Sequence, residues 1–300
     1  MNPIRRVAFL CLGVMGGPMA GHLARAGLSV AVYNRTRSRA MSWATAYADF
    51  DVTVASTPAQ AASEADLVFV CTGADSDLRE IALGADGALA AMSSGTIFVD
   101  HTTASAAIAR ELAAVAEPAG IGFLDAPVSG GQAGAERGTL TIMLGGDDAD
   151  YRRVAPILDH YAKKHLLLGP VGQGQLAKMV NQICIAGLVQ ALSEGLNFAK
   201  QVGLDPNRVV EVISQGAAGS WQMENRAQTM IEGRFDFGFA VDWMRKDLVM
   251  AIEEAERVGA PLPITKLVDA RYEEIQAQGG GRLDTSSLIR GLMRQLDEVD

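Results

Sequence analysis

Three hundred residues, 49% of them apolar and 20% charged, describe an ordinary globular chain with enough core for two domains. A net charge of −9 argues against nucleic acid and against an anionic membrane surface as partners. Glycine, proline or charge interrupts every apolar run, which argues against a transmembrane span.

In chain order, Val7-Ala8-Phe9-Leu10 predicts a buried strand. It breaks into Cys11-Leu12-Gly13-Val14-Met15-Gly16-Gly17, and a helix resumes at Pro18-Met19-Ala20. Strand, glycine-rich turn and helix open a nucleotide-binding crossover, with Leu12, Gly13, Val14, Met15 and Gly16 as the backbone cradle for a pyrophosphate. Cys11 holds the place where that pattern has its first glycine. Arg5-Arg6 followed by an apolar run also imitates a secretory signal. The next segment decides against that reading. Leu28–Tyr33 predicts a second strand after the helix stop Gly27, and it ends at Asn34-Arg35-Thr36, where such folds read the ribose. A carboxylate there would select NAD. An amide, a guanidinium and a hydroxyl favour the 2′-phosphate of NADP, with NAD still possible. As a solvated helix-start residue, Arg35 would carry no such meaning.

Further strands are predicted at Ala65–Cys71, Gly95–Asp100 and Ile121–Asp125, with a helix from Ala104 to Glu117 between the last two. Alternating strands and helices imply right-handed crossovers and a mostly parallel sheet. Ligands on such sheets lie beyond the carboxyl ends of the strands. The segments 11–17, 34–36, 72–75, 101–103 and 126–131 are therefore where function is expected. Cys11, Cys71 and Cys184 stand among apolar neighbours without CxxC spacing, which predicts buried thiols in a reducing cytoplasm. The four histidines show no metal-ligand spacing.

After about residue 164 helical periodicity takes over. The predicted organisation is an α/β Rossmann-type domain over 1–164 and an all-α domain over 165–300. A helix from about Gln175 to Val202 is apolar almost all round, so burial on several sides is expected. Helices are also predicted at about 206–215, 220–232, 239–258, 262–277 and 285–297, with a loop at Gln278–Gly281.

Three constellations carry chemistry. Lys178, Asn181 and Gln182 share one face of the long helix, and a desolvated lysine suits proton transfer near neutral pH. A lysine reaching past the helix start to water is the plainer alternative. Ser129-Gly130-Gly131, on a glycine-rich turn after the strand at 121–125, offers backbone N–H groups to a carboxylate. Arg245-Lys246-Asp247, taken alone, reads as a solvated helix face.

In combination these segments resemble the β-hydroxyacid dehydrogenase family, of the 3-hydroxyisobutyrate dehydrogenase and tartronate semialdehyde reductase type. The likeness rests on Leu12–Met19, Asp125–Gly131 with Gly138-Thr139-Leu140, Gly172–Gln182 and Lys246-Asp247-Leu248. It implies an oxidoreductase that passes a hydride between a nicotinamide and a short β-hydroxy acid or semialdehyde. It makes Lys178 the catalytic acid and base, and Ser129, Gly130 and Gly131 the carboxylate loop. Either Asn181 or Gln182 becomes the substrate-contacting amide. The same likeness sets Thr72, Gly73, Thr103 and Lys246 near the cofactor, turns Trp221 toward the substrate, and implies a homodimer or homotetramer. Cys11, and Thr72-Gly73 where Leu-Pro is commoner, depart from the family pattern. A catalytically silent NADP-binding scaffold or sensor, and an imine reductase, are the alternatives on this architecture. The presence of Lys178 favours the dehydrogenase.

Overall fold

The computed structural model describes residues 4–292. The chain forms two compact units that part between Lys178 and Met179.

The first unit is built on a twisted sheet. Strands β1 (Arg6–Leu10), β2 (Ser29–Tyr33), β3 (Val52–Val54), β4 (Leu67–Val70), β5 (Ile97–Asp100) and β6 (Gly122–Asp125) lie parallel in the order β3-β2-β1-β4-β5-β6. Their helices are α1 (Gly16–Arg25), α2 (Arg37–Ala46), α3 (Pro58–Ala62), α4 (Asp75–Leu83) and α5 (Ala106–Ala116). The pairing registers Phe9 with Phe69 and Leu10 with Val70, so successive residues feed opposite faces. Phe9, Phe69, Met19 and Leu23 fill one core, whereas Leu10, Val70, Phe98 and Ile108 fill the other. Burial on both faces explains why these strands read as unbroken apolar runs.

The sheet then turns antiparallel. Residues Val128–Ser129 (β7) pair with Leu140–Gly146 (β8), which runs antiparallel to β6, and Ala162–Leu167 (β9) lies parallel to β8. Between them lie α6 (Gly131–Arg137) and α7 (Asp148–Leu158). Strand structure thus extends to Leu167, and β3, β7, β8 and β9 join the five strands that the sequence pattern predicts.

A single helix, α8, runs over Gln173–Gln201. It is followed by α9 (Pro206–Ile213), α10 (Trp221–Ile231), α11 (Val241–Val258) and α12 (Pro263–Ile275). In the second unit Ala186 and Val189 pack with Met244, Leu248, Val268 and Tyr272. Leu192 and Leu196 pack with Met223, Met230 and Phe235. Gln276–Gly280, of which Gln278, Gly279 and Gly280 were expected in a loop, forms a wide helical turn that Gly279 breaks at φ 80°. Thr285–Leu288 is a short 3-10 turn, and the last part of the helix predicted at 285–297 lies outside the described residues.

Two expectations need correction. By length and composition α8 could cross a membrane, although the sequence pattern suggested that no segment came close. Buried Gln182 and Ser193, and the two apolar clusters it joins, fit a core helix instead. Nor is α8 covered on all sides. Val180, Cys184, Leu188, Ala191 and Phe198, spaced for one face, are exposed, so Cys184 is not the buried thiol that was predicted.

Candidate functional site

The glycine turn is closed at one residue and open at another. Cys11 follows β1 with φ 75°, and among the described residues it is the only non-glycine with positive φ. Its N–H donates to the Tyr33 carbonyl at 2.8 Å, which holds the turn against β2. A side chain at Gly16 would collide with the Cys11 carbonyl, whereas one at Gly13 would meet nothing within 4 Å. Gly16 therefore lets α1 begin tight against the turn, and Gly13 leaves backbone open to a ligand. The first turn of α1 carries no acidic residue and no side-chain cap. Gly17 N–H donates to the Gly13 carbonyl at 3.0 Å and Met19 N–H to the Met15 carbonyl at 3.3 Å. What α1 offers a dinucleotide's pyrophosphate is therefore the positive end of its dipole, with no carboxylate in its own first turn to oppose it.

Burial pushes the Cys11 thiol up to about 11, against a hydrogen bond with Thr72 that opposes the shift. It remains a protonated packing group rather than a nucleophile. A left-handed backbone costs a β-carbon residue about 1–2 kcal/mol. Cys11→Gly should therefore raise the thermal midpoint by about 2–4 °C and tighten NADPH binding several-fold, both measurable by a thermal shift titration. Unchanged affinity would show that the thiol side chain does not limit the turn's grip.

At the end of β2, Asn34 is a strut: its Oδ1 accepts from Leu12 N–H at 3.0 Å and its Nδ2 donates to the Thr36 carbonyl at 3.0 Å. Thr36 precedes α2 without a side-chain cap bond. Arg35 is 87% exposed and lies 3.4 Å from Asp77. An ion pair this open is screened and weak, so the guanidinium can leave it for a phosphate.

Beneath these loops lies a buried polar lattice that the sequence motifs do not include. Asp125, at the end of β6, accepts from Gly172 N–H at 2.7 Å and from Gln175 N–H at 2.8 Å, so its carboxylate caps the start of α8. Gly174 makes this approach possible, because a β-carbon there would lie 2.6 Å from the Asp125 and Met143 carbonyls. Gln175 accepts from Ala104 N–H at 3.0 Å and donates to the Thr102 carbonyl at 2.7 Å. Thr102 Oγ1 accepts from Thr72 N–H at 3.1 Å, and its own N–H donates to Asp100 at 2.8 Å. The loops after β4, β5 and β6 and the start of α8 are thereby tied into one frame. Burial pushes the carboxyls up, Asp100 to about 7 and Asp125 to about 6, against the hydrogen bonds they accept. It lowers His101 to about 4. The imidazole is then neutral, with Nδ1 donating to the Ala126 carbonyl at 2.6 Å and Nε2 accepting from Tyr161 at 2.8 Å. The sequence signal was available: Asp100 and Asp125 end strands that are otherwise apolar.

The predicted cofactor-binding residues of the first unit all follow strand ends. Leu12–Gly16 follow β1, Asn34–Thr36 follow β2, Thr72 and Gly73 follow β4, and Thr103 follows β5. Ser129 pairs with Thr141 at the edge of β7. Gly130 and Gly131 take φ values of 132° and 61°, and the second is open to solvent. Lys178 is 6% exposed, which removes the reading in which it extends into water.

In the second unit Asn181 and Gln182 on α8 meet Lys246 and Asp247 on α11. Asn181 Nδ2 donates to Gln182 Oε1 at 2.8 Å, Gln182 Nε2 donates to Asp247 Oδ2 at 2.6 Å, and Lys246 Nζ lies 3.1 Å from Asp247 Oδ1. Trp221 belongs to another cluster. It is 52% exposed, so it is no core residue, and the Arg226 guanidinium stacks on its ring at 4.9 Å while pairing with Asp284 at 3.2 Å.

The comparisons with known proteins agree with this geometry. Residues 6–169 match the NAD-binding domain of 6-phosphogluconate dehydrogenase, and residues 172–292 match the NAD-binding model of NADP-dependent 3-hydroxyisobutyrate dehydrogenase. An uncharacterized oxidoreductase of Shewanella frigidimarina is 58% identical over 96% of this chain and 98% of its own. The 2-hydroxy-3-oxopropionate reductase of Escherichia coli is 34% identical over 96% and 97%. The solved Mycobacterium tuberculosis 3-hydroxyisobutyrate dehydrogenase with L-serine superposes with a TM-score of 0.87 at 33% identity, over 96% of this chain and 99% of that one. An α/β dinucleotide unit with helices following it, an open glycine turn and these matches lead to one conclusion: the chain belongs to the β-hydroxyacid dehydrogenase family and is an NAD(P)-dependent oxidoreductase.

Proposed function

We propose that the protein interconverts a short β-hydroxy acid and its semialdehyde, with NADP as the preferred cofactor and Lys178 as the acid and base. The observation that carries this reading is Lys178 itself, a lysine 6% exposed near the start of a helix whose first turn is fixed by a buried carboxylate. When bound, the nicotinamide supplies or accepts the hydride at the carbinol carbon. Lys178 gives a proton to the carbonyl oxygen in reduction and takes the hydroxyl proton in oxidation. Backbone N–H groups of Ser129, Gly130 and Gly131 hold the substrate carboxylate. An amide of Asn181 or Gln182 orients the hydroxyl, Trp221 limits substrate length, and Thr72, Gly73, Thr103 and Lys246 hold the cofactor. The β-hydroxy acid named with the mycobacterial structure, and the semialdehyde named with the Escherichia coli reductase, are short acids of this class.

Turnover of NADPH with a panel of short semialdehydes, and of NADP with serine and 3-hydroxyisobutyrate, tests the reading. Tight cofactor binding without turnover of any of them would sink it in favour of a silent NADP-binding scaffold.

The cofactor preference rests on Arg35 and on the absence of a carboxylate at 34–36. Losing one charge-assisted phosphate contact costs about 1.5–3 kcal/mol. Arg35→Ala should thus raise the KM for NADPH about 10–100-fold and leave that for NADH nearly unchanged; equal effects on both would remove the basis for the preference. We further propose that the exposed face of α8, from Val180 to Phe198, is covered by a second copy of the chain, since a protomer rarely leaves so long an apolar stripe in water. Sedimentation of the wild type against Leu188→Glu checks this: both running as monomers would contradict it.

A further inference from the structure

Arg35 already has an anion in front of it. On α4, Asp75 and Asp77 both stand in the first turn, which no side chain caps, so the helix dipole favours their negative charge. The two carboxylates then part in use. Asp75 accepts from Ser105 N–H at 2.9 Å and from the Ser105 hydroxyl at 2.5 Å, which commits it to the start of α5. Asp77 is left facing the end of β2, 3.4 Å from the Arg35 guanidinium. Burial dominates the shift of the Cys11 thiol, but the Asp77 and Arg35 charges also act on it, in opposite directions. The ion pair therefore lies beside the glycine turn.

The Asp77 carboxylate thus holds the guanidinium that a 2′-phosphate would need. To meet the phosphate Arg35 must exchange one anion for another, and Asp77, fixed on its helix, stays behind as a like charge. A cofactor with a free 2′-hydroxyl asks for no exchange, so with it the Arg35–Asp77 pair persists. We propose that Asp77 is a specificity-determining residue: by competing with the 2′-phosphate for Arg35 it narrows the preference for NADP and keeps NAD admissible. The proposal rests on the cofactor reading above, in which Arg35 meets the 2′-phosphate. The pair is open to water on both sides, so its strength is that of a surface ion pair, and this bounds the effect to a few-fold. A carboxylate kept only for the dipole of α4 would affect stability and leave cofactor selectivity alone.

The test is calorimetric binding of NADPH and of NADH to the intact protein, and it needs no turnover. At about 0.01 M salt, where screening is weak, Asp77→Asn should tighten NADPH binding about three- to fivefold and leave NADH unchanged. Asp77→Glu, which keeps the charge, should bind both cofactors as the wild type does. The gain should vanish at about 1 M salt. It should also vanish in the Arg35→Ala background, because Asp77 acts only through that guanidinium. Where Arg35→Ala weakens NADPH but Asp77→Asn leaves it unmoved, or tightens NADH equally, the proposal is overturned and the cofactor reading stands. An undiminished gain in the Arg35→Ala background would also overturn it, since the carboxylate would then repel the phosphate directly. If Arg35→Ala itself left NADPH binding intact, the cofactor reading would fall, and the proposal with it.

Discussion

Lys178→Ala is expected to lower kcat by about 10²–10⁴-fold, the usual contribution of a positioned acid and base, while the NADPH Kd stays within about twofold. The split follows from placement. The residues proposed to hold the dinucleotide belong to turns after β1, β2, β4 and β5 and, with Lys246, to α11, whereas Lys178 lies on α8. Removing its side chain leaves the glycine turn, the Asn34 strut and Arg35 in place. Lys178→Arg should rescue little. A guanidinium keeps the charge, but it does not release a proton at any working pH. Isothermal titration of NADPH into the variant, beside steady-state rates, separates the two effects. A large loss of cofactor affinity would contradict the role assigned to Lys178 and make it a cofactor ligand.

The parts of the fold that were legible in the sequence are those whose physics is local. β1, β4 and β5 are buried on both faces, so each reads as an apolar run, and the turns after them announce themselves in glycine and polar residues. α8 is legible because its length leaves no other reading. The missed strands lack such signals. β3 is three residues long, and β9 spells Ala-Lys-Lys-His-Leu-Leu with both lysines exposed. β8 alternates only weakly in Leu-Thr-Ile-Met-Leu-Gly-Gly and exists because β6, β7 and β9 pair with it. The same division holds for the site. Glycine spacing and the Lys178 face are periodic features, visible along one segment. The lattice of Asp100, Thr102, Asp125 and Gln175 is not, since its members meet only once β5, β6 and α8 are brought side by side. Asn34 shows the limit of reading a motif by residue type. It stands where the ribose is read, yet its amide is used to brace the glycine turn.

Asp125→Ala should be the most damaging substitution for stability. It orphans the Gly172 and Gln175 N–H groups at the buried start of α8. Two buried donors without acceptors cost about 2–6 kcal/mol, or a thermal midpoint lowered by about 5–15 °C. Lys178 lies in the turn that follows on the same helix, so kcat should fall at least about tenfold even well below the melting point. Asp125→Asn keeps one acceptor but turns an NH₂ toward the second donor, and it should lose about half as much. Its pH dependence tells which force governs the carboxyl. Burial lifts Asp125 from 3.8 to about 6 against its backbone N–H donors, so the native state binds that proton more tightly than the unfolded chain does. The resulting stabilisation is complete below about pH 4 and is lost as pH rises through about 6. Asp100, at about 7, adds the same sign, whereas His101, lowered from 6.5 to about 4, adds stability as pH rises over that window. His101 is common to wild type and variant and cancels in the comparison. Asp100 loses the repulsion of the Asp125 charge in the variant, which adds to the difference with the same sign. Urea denaturation should therefore find the deficit of Asp125→Asn larger near pH 4.5 than near pH 7. A deficit that grew with pH would mean that the helix N–H groups, not burial, dominate this carboxyl, and that its charge is what anchors α8.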